Sequence, residues 1–157
     1  MEASQRALLD TAAARFAERL DRDMAARWRD MQLAAALPPM RDPTTPPATR
    51  REILRQLHDT DADYALIAFI GPDSRVVADS RSLTEGQDAA AGPLLRAAMQ
   101  GPVVQDVHDA AVPGAGAPLR RIDLAAPVRG ADGRLLGVIT AHLDWRWAAA
   151  QIGAPRP

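Results

Sequence analysis

The chain has 157 residues, a formal net charge of −1 and no cysteine. That length suits one domain with its own core. The charge balance supplies no bulk positive field for nucleic acid or anionic lipid, and without thiols there are no disulfides, thiolate catalysis or cysteine-ligated metals.

All 19 basic residues are arginine, so a scattered arginine is weak evidence for an anion site. Residues 4–37 repeat apolar side chains at Leu9, Ala13, Phe16, Leu20, Met24, Trp28, Met31 and Ala35. Gaps of three and four draw one stripe along a helix, with Arg15, Glu18, Arg22 and Arg29 on its other faces. The spacing predicts a rod of about 50 Å at 1.5 Å per residue, ended by Pro38 and Pro39. Such a helix outruns a small domain. Its excess length is expected to pack on a second protomer, stand free or continue toward a membrane. The charges from Glu2 to Arg19 leave no signal-peptide core, and no apolar run is long enough to span a bilayer.

Residues 40–48, rich in proline and threonine, read as an extended connector. Pro46 and Pro47 introduce a second helix over 50–58 that buries Ile53, Leu54 and Leu57. Residues 64–70 (YALIAFI) are a strand buried on both faces. A Gly-Pro-Asp-Ser turn leads to a return strand over 75–79. After a loop, 93–100 suit a short helix ended by Gly101, 102–107 a third strand, and the stretch to Pro118 a surface loop. Residues 119–128 alternate, with Ile122, Leu124, Ala126 and Val128 on one face and Arg121, Asp123 and Ala125 on the other. Asp132-Gly133 makes a turn, 134–144 a fifth strand and 145–152 a closing helix. Helices crowd the start and antiparallel strands the end, which indicates an α+β fold. The simplest assembly is a five-stranded antiparallel sheet, with the long N-terminal helix and the short helices over one face.

Several pieces then fall in a telling order. They are the hairpin IAFIGPDSRVVADS, the Gly86 loop before a helix ending AAMQG, the segment DVHDA, and the closing AAPVRGADGRLLGVITAHLDWRWA. Together with the long helix they resemble the membrane-distal module of Cache-type, PAS-like extracytoplasmic sensor domains, as found in transmembrane diguanylate cyclases and chemoreceptors. The resemblance covers most of the chain after Ser4, and its order and spacing are more specific than any single motif. It implies a long helix over 4–37, a sensor module over 38–152 and a broken-off tail over 153–157. It further implies the periplasmic portion of an inner-membrane receptor, its membrane helices and output domain lying outside this chain. A small polar ligand and a homodimer through the long helix are the partners so implied, with no cofactor.

The family holds its ligand between the concave sheet face and the helix and loops above it. Amino-acid-binding members use Arg-x-Trp entering the short helix, Tyr-x-Asp after the third strand, and an aspartate near the end of the Gly-Val strand. Here Gly92 and Leu94 stand at the first pair. Val107, His108 and Asp109 stand at the second, keeping only the aspartate, and His142 takes the last position. The resemblance therefore implies a ligand other than an α-amino acid.

The candidate residues carry competing readings. His142 and Asp144 share one face of the last strand; His142 is a ligand contact or pH switch, or a packing histidine satisfied by a carbonyl. Asp106, His108 and Asp109, with His142, offer oxygen and nitrogen to a divalent cation. Asp-x-His-Asp in a loop serves equally as a cap, and no metal is expected. Arg121 and Asp123 share a strand face. If it lines the pocket, Arg121 holds a carboxylate or phosphate bidentately; if it faces water, the pair is a surface bridge of little weight. Arg96 on the short helix is open in the same way.

No nucleophile elbow, Walker loop or dinucleotide fingerprint is present in the sequence, and no enzyme is expected. The rival to a sensor is a ligand-free dimerisation module on the same fold, using the long-helix stripe. Trp28 is read as core or dimer packing, and Trp145 and Trp147 as seals between sheet and closing helix.

Overall fold

Helix α1 spans Glu2–Ala36, as the apolar stripe predicts, but among its described side chains only those of the C-terminal part meet the domain. Met31 is fully buried and Ala34 and Ala35 nearly so, with Met24 and Trp28 packed beside them. Leu8 and Leu9 remain 70% and 71% exposed. Trp28 therefore belongs to the domain core. The computed structural model describes residues 2–61, 63–89, 92–101, 103–110 and 119–144. The expected surface loop before Pro118, the closing helix with Trp145 and Trp147, and the tail lie outside the described residues. No described helix is long and apolar enough to cross a membrane.

The connector is less extended than its prolines suggest. Pro38–Arg41 form one helical turn, α2, with proline in its opening positions, where a missing N–H costs nothing. That turn buries Met40 completely. Helix α3 covers Pro47–Asp59 and also starts on proline. Arg50 within it is buried. Its Nη1 donates to the Met40 carbonyl at 2.6 Å and its Nη2 to the Asp42 carbonyl at 2.8 Å, while the guanidinium lies 4.4 Å over the Phe69 ring. Charge-assisted bonds and a cation–π contact together replace the lost hydration.

The strands are β1 (Tyr64–Ile70), β2 (Val76–Asp79), β3 (Val103–Ala110), β4 (Leu119–Arg129) and β5 (Leu135–Asp144), with α4 (Gly92–Gln100) between β2 and β3. They form one sheet in the order β2-β1-β5-β4-β3, antiparallel throughout. The class is α+β, as expected. β3 runs three residues past its predicted end because β4 continues opposite it, pairing Leu119 with Ala110. His108 and Asp109 thus join Asp106 in a strand, where a loop was expected beyond residue 107.

The helices do not share one face. Ile67, Phe69, Leu124, Ala126, Ile139 and their neighbours meet α1, α2 and α3 on one side. Ala68, Ile70, Ala125 and Val138 meet Leu95 and Ala98 of α4 on the other. Strand alternation demands this, since successive residues of the buried run YALIAFI must find cover on opposite sides. The loop after β2 also closes the sheet edge. Val76 donates its N–H to Gln87 O at 3.0 Å, and Gly86 donates to Val76 O at 2.8 Å. An exposed edge is thereby protected.

Candidate ligand site

The face beneath α4 gathers polar side chains in an otherwise apolar layer. Asp123 and His142 are directly paired across β4 and β5, and alternation places Thr140 on the same side of β5. Asp123 is only 2% exposed, and its Oδ1 lies 2.6 Å from His142 Nδ1. A carboxylate at Nδ1 assigns the proton to that nitrogen, so Nδ1–H donates to Asp123. His142 Nε2 has no partner among the described residues, which makes it the atom available to a ligand. Beside it, Thr140 is 1% exposed and its Oγ1 has no hydrogen-bond partner among the described residues. A buried hydroxyl without a partner costs stability. Sites of recognition carry such costs.

Of the remaining predicted residues, the structure aligns three in one row. His108 pairs with Arg121, and Arg121 with Asp144. Asp106 lies at the irregularity between Gln105 and His108, and Asp109 is opposite Arg120. The side chains of Asp106, His108, Asp109, Arg121 and Asp144 fall outside the described parts. Arg96 is exposed while Leu95 and Ala98 on the same helix are buried. The structure therefore brings Asp123 and His142 together and leaves Arg96 apart from them. Asp123 is a buried partner of histidine, which removes the reading of an exposed surface bridge for this residue. Among the described residues no group of three or more acidic, histidine or cysteine side chains could hold a metal.

The loop that leads into α4 is fastened at several points that sequence reasoning missed. Asp79 is fully buried. Its carboxylate accepts the N–H groups of Arg81 at 2.8 Å, Leu83 at 3.1 Å and Thr84 at 2.7 Å, and the Thr84 hydroxyl at 2.7 Å. Burial alone would push its pKa up, but these bonds from Thr84, Leu83 and Arg81 outweigh it and hold it below the ordinary value. Arg51 of α3 grips Glu85 through Nε at 2.5 Å and Nη2 at 2.8 Å. That grip, led by the side-chain hydrogen bonds, holds the Glu85 carboxyl down.

His58 supplies a third fastening, its Nδ1 lying 2.6 Å from Ser80 Oγ. Ser80 Oγ also accepts the Ile67 N–H at 3.0 Å, so the one hydroxyl joins α3 to β1, with the direction of its bond to His58 set by the histidine tautomer. Burial depresses the His58 pKa, against the Tyr64 backbone, with Arg81 lowering it further and Asp59 raising it. Asp79 followed by a Ser-Arg-Ser-Leu-Thr run was the available signal, since an aspartate before polar residues folds the following backbone around itself.

At the opposite corner, Arg27 of α1 places Nη2 2.8 Å from both Asp61 and Asp63, tying the long helix to the start of β1. Burial and the neighbouring Asp61 push the Asp63 pKa up, against the pull of Arg27.

The sequence matches no family model and no curated protein. Its fold, however, is shared with solved structures. The chain is similar to the ligand-binding domain of the Pseudomonas aeruginosa amino-acid chemoreceptor PctC in complex with GABA, at 16% identity and a TM-score of 0.75 over 94% of this chain and 67% of that one. It is similar to an extracellular ligand-binding receptor from Desulfohalobium retbaense, at 17% identity and 0.75 over 90% of this chain and 26% of that one. The sensor domain of the Vibrio cholerae histidine kinase DctB gives 17% and 0.71 over 92% and 57%. The chain thus spans between about a quarter and two thirds of these structures, and its fold is that of bacterial sensor domains.

Proposed function

We propose that this chain is the extracytoplasmic ligand-sensing module of a bacterial membrane receptor and has no catalytic role. One observation carries the reading: the sheet face beneath α4 buries Asp123 and Thr140 beside a half-buried His142, in a fold otherwise found in ligand-binding domains. The ligand is a small polar metabolite that meets His142 Nε2. Gly92 and Leu94 at the entry to α4 offer no guanidinium or indole for an amino-acid head, so the ligand is not an α-amino acid. Movement of α4 and its loop against β4 and β5 would pass to α1, which packs on the other face of the same strands. That transfer requires different affinities in two arrangements. The output reading, a diguanylate cyclase, rests on the sequence resemblance.

A thermal-shift screen of organic acids, amines and nucleobases tests the proposal, since a specific ligand must raise stability. A compound that stabilises the wild type but not Asp123→Asn supports it. Silence across all classes opposes it.

The second reading, a dimerisation module, is favoured by the bare Leu8 and Leu9 on α1. Leu9→Glu separates the two better than a change at Trp28, which packs on the domain's own core. Loss of a sedimenting dimer, with no ligand in the screen, favours the interaction module.

A further inference from the structure

A cavity of about 840 Å³ lies at the hairpin end of the sheet, away from Asp123 and His142. We propose that it is an accessory ligand site for a small organic acid, a single carboxylate on a compact apolar body.

Three segments build the cleft: the turn after α1, the β1–β2 turn and the β4–β5 hairpin. Its size is within the range of metabolite pockets. Pro38, Pro43 and Pro72, with Leu135 and Leu136, form its apolar wall. Proline rings have little conformational freedom to lose on contact.

The cleft is also held open by the fold itself. Arg41 Nε donates to Arg129 O at 2.9 Å and Nη2 to Gly130 O at 3.3 Å, pinning the connector to the hairpin. The hairpin closes through Gly130 N to Arg134 O and Gly133 N to Gly130 O, each 2.9 Å. Arg50 holds the connector from behind through the Met40 and Asp42 carbonyls. A pre-organised wall spares the ligand the cost of ordering it.

Polar groups in the cleft are unevenly committed. Asp42 Oδ1 accepts from the Thr44 N–H at 2.9 Å and hydroxyl at 2.7 Å. Asp132 Oδ1 accepts from the Arg134 N–H at 3.0 Å. In each aspartate Oδ1 is thereby committed to turning the chain. Arg41 retains Nη1, and the Arg134 guanidinium has no partner among the described residues. These guanidinium donors on the cleft wall are matched by an occupant that brings acceptors. The two aspartates nearby repel a dianion, which selects a carboxylate over a phosphate. Such an acid would touch the end of α1 at Ala36 and the start of β5 at Leu135 and Leu136. Those are the two elements through which the α4-face site would signal.

The experiment is a nitrogen-15 NMR titration of the whole chain with sodium benzoate, using benzyl alcohol and inorganic phosphate as controls. Benzoate is expected to give saturable shifts at Arg41 and residues 130–136. Affinity should fall about tenfold or more in Arg134→Gln and for benzyl alcohol, since each loses the charge-assisted pair. Arg134 is exposed, so this variant should keep the wild-type spectrum elsewhere. The proposal is overturned by the absence of saturable shifts at millimolar benzoate, by equal binding to Arg134→Gln, or by phosphate binding more tightly. Shifts confined to α4, Asp123, Thr140 and His142 would also overturn it, while leaving the α4-face site standing.

Discussion

Replacing Asp79 by asparagine should loosen the loop that carries α4, although volume and shape hardly change. In the wild type one carboxylate satisfies the backbone donors of Arg81, Leu83 and Thr84 together with the Thr84 hydroxyl. An amide has one acceptor oxygen. If that oxygen takes the Oδ1 position, its NH₂ faces the Thr84 N–H, donor against donor; if it flips, Arg81 loses its acceptor while Leu83 keeps its 3.1 Å bond to the Oδ2 position. An unsatisfied buried donor costs about 1–3 kcal/mol, and the surviving bonds lose their charge assistance. Residues 81–83 are exposed, so water recovers part of the loss. The net destabilisation is roughly 2–4 kcal/mol. Urea unfolding should show the midpoint falling by about 1–2 M with an unchanged slope. Amide exchange should accelerate at Arg81, Leu83 and Thr84 before it does in β5. A midpoint within about 0.3 M of wild type, or no local acceleration, would refute the reasoning.

Other expectations follow from the same contacts. Because burial holds the folded-state pKa of His58 below its ordinary 6.5, the unfolded chain binds more protons just below that pH. Its contribution is complete above 6.5 and is lost as pH falls through the folded value; chemical denaturation of His58→Gln against wild type should show the gap closing in that window. Thr140→Val removes a buried hydroxyl without a described partner. Melting should show stability unchanged or raised by up to about 1 kcal/mol, while affinity for the screened ligand drops. In Gly137→Ala the new Cβ would stand 2.4 Å from the Ile70 carbonyl and 2.8 Å from the Phe69 ring. Because the close atom is backbone of the neighbouring strand, the loss should be about 2–4 kcal/mol by urea titration; a loss below about 0.5 kcal/mol would show that β1 yields easily.

Periodicity made most of the scaffold legible. The stripe of α1, the run YALIAFI and the alternation of Ile122, Leu124, Ala126 and Val128 each announce an element and its buried side, because burial and period are the same physical fact. Periodicity does not say which layer covers which face. Leu95 and Ala98 on α4 read like any other apolar pair, and only the chain path sends them opposite α1. Within the site, His142 was found through its family position and Asp123 through alternation, but their direct pairing depends on the register of β4 against β5. Asp79, Ser80, His58 and Arg50 went unnoticed. Their roles depend on which backbone groups the tertiary fold leaves without partners, and no local spacing records that.

A crystal structure of the chain with the strongest compound from the thermal-shift screen tests the central claim most directly. The account predicts that compound between α4 and the sheet, with a polar atom in hydrogen-bond range of His142 Nε2 and the Asp123–His142 contact intact. A compound bound elsewhere, with the α4 face closed over Thr140 as it is here, would contradict it.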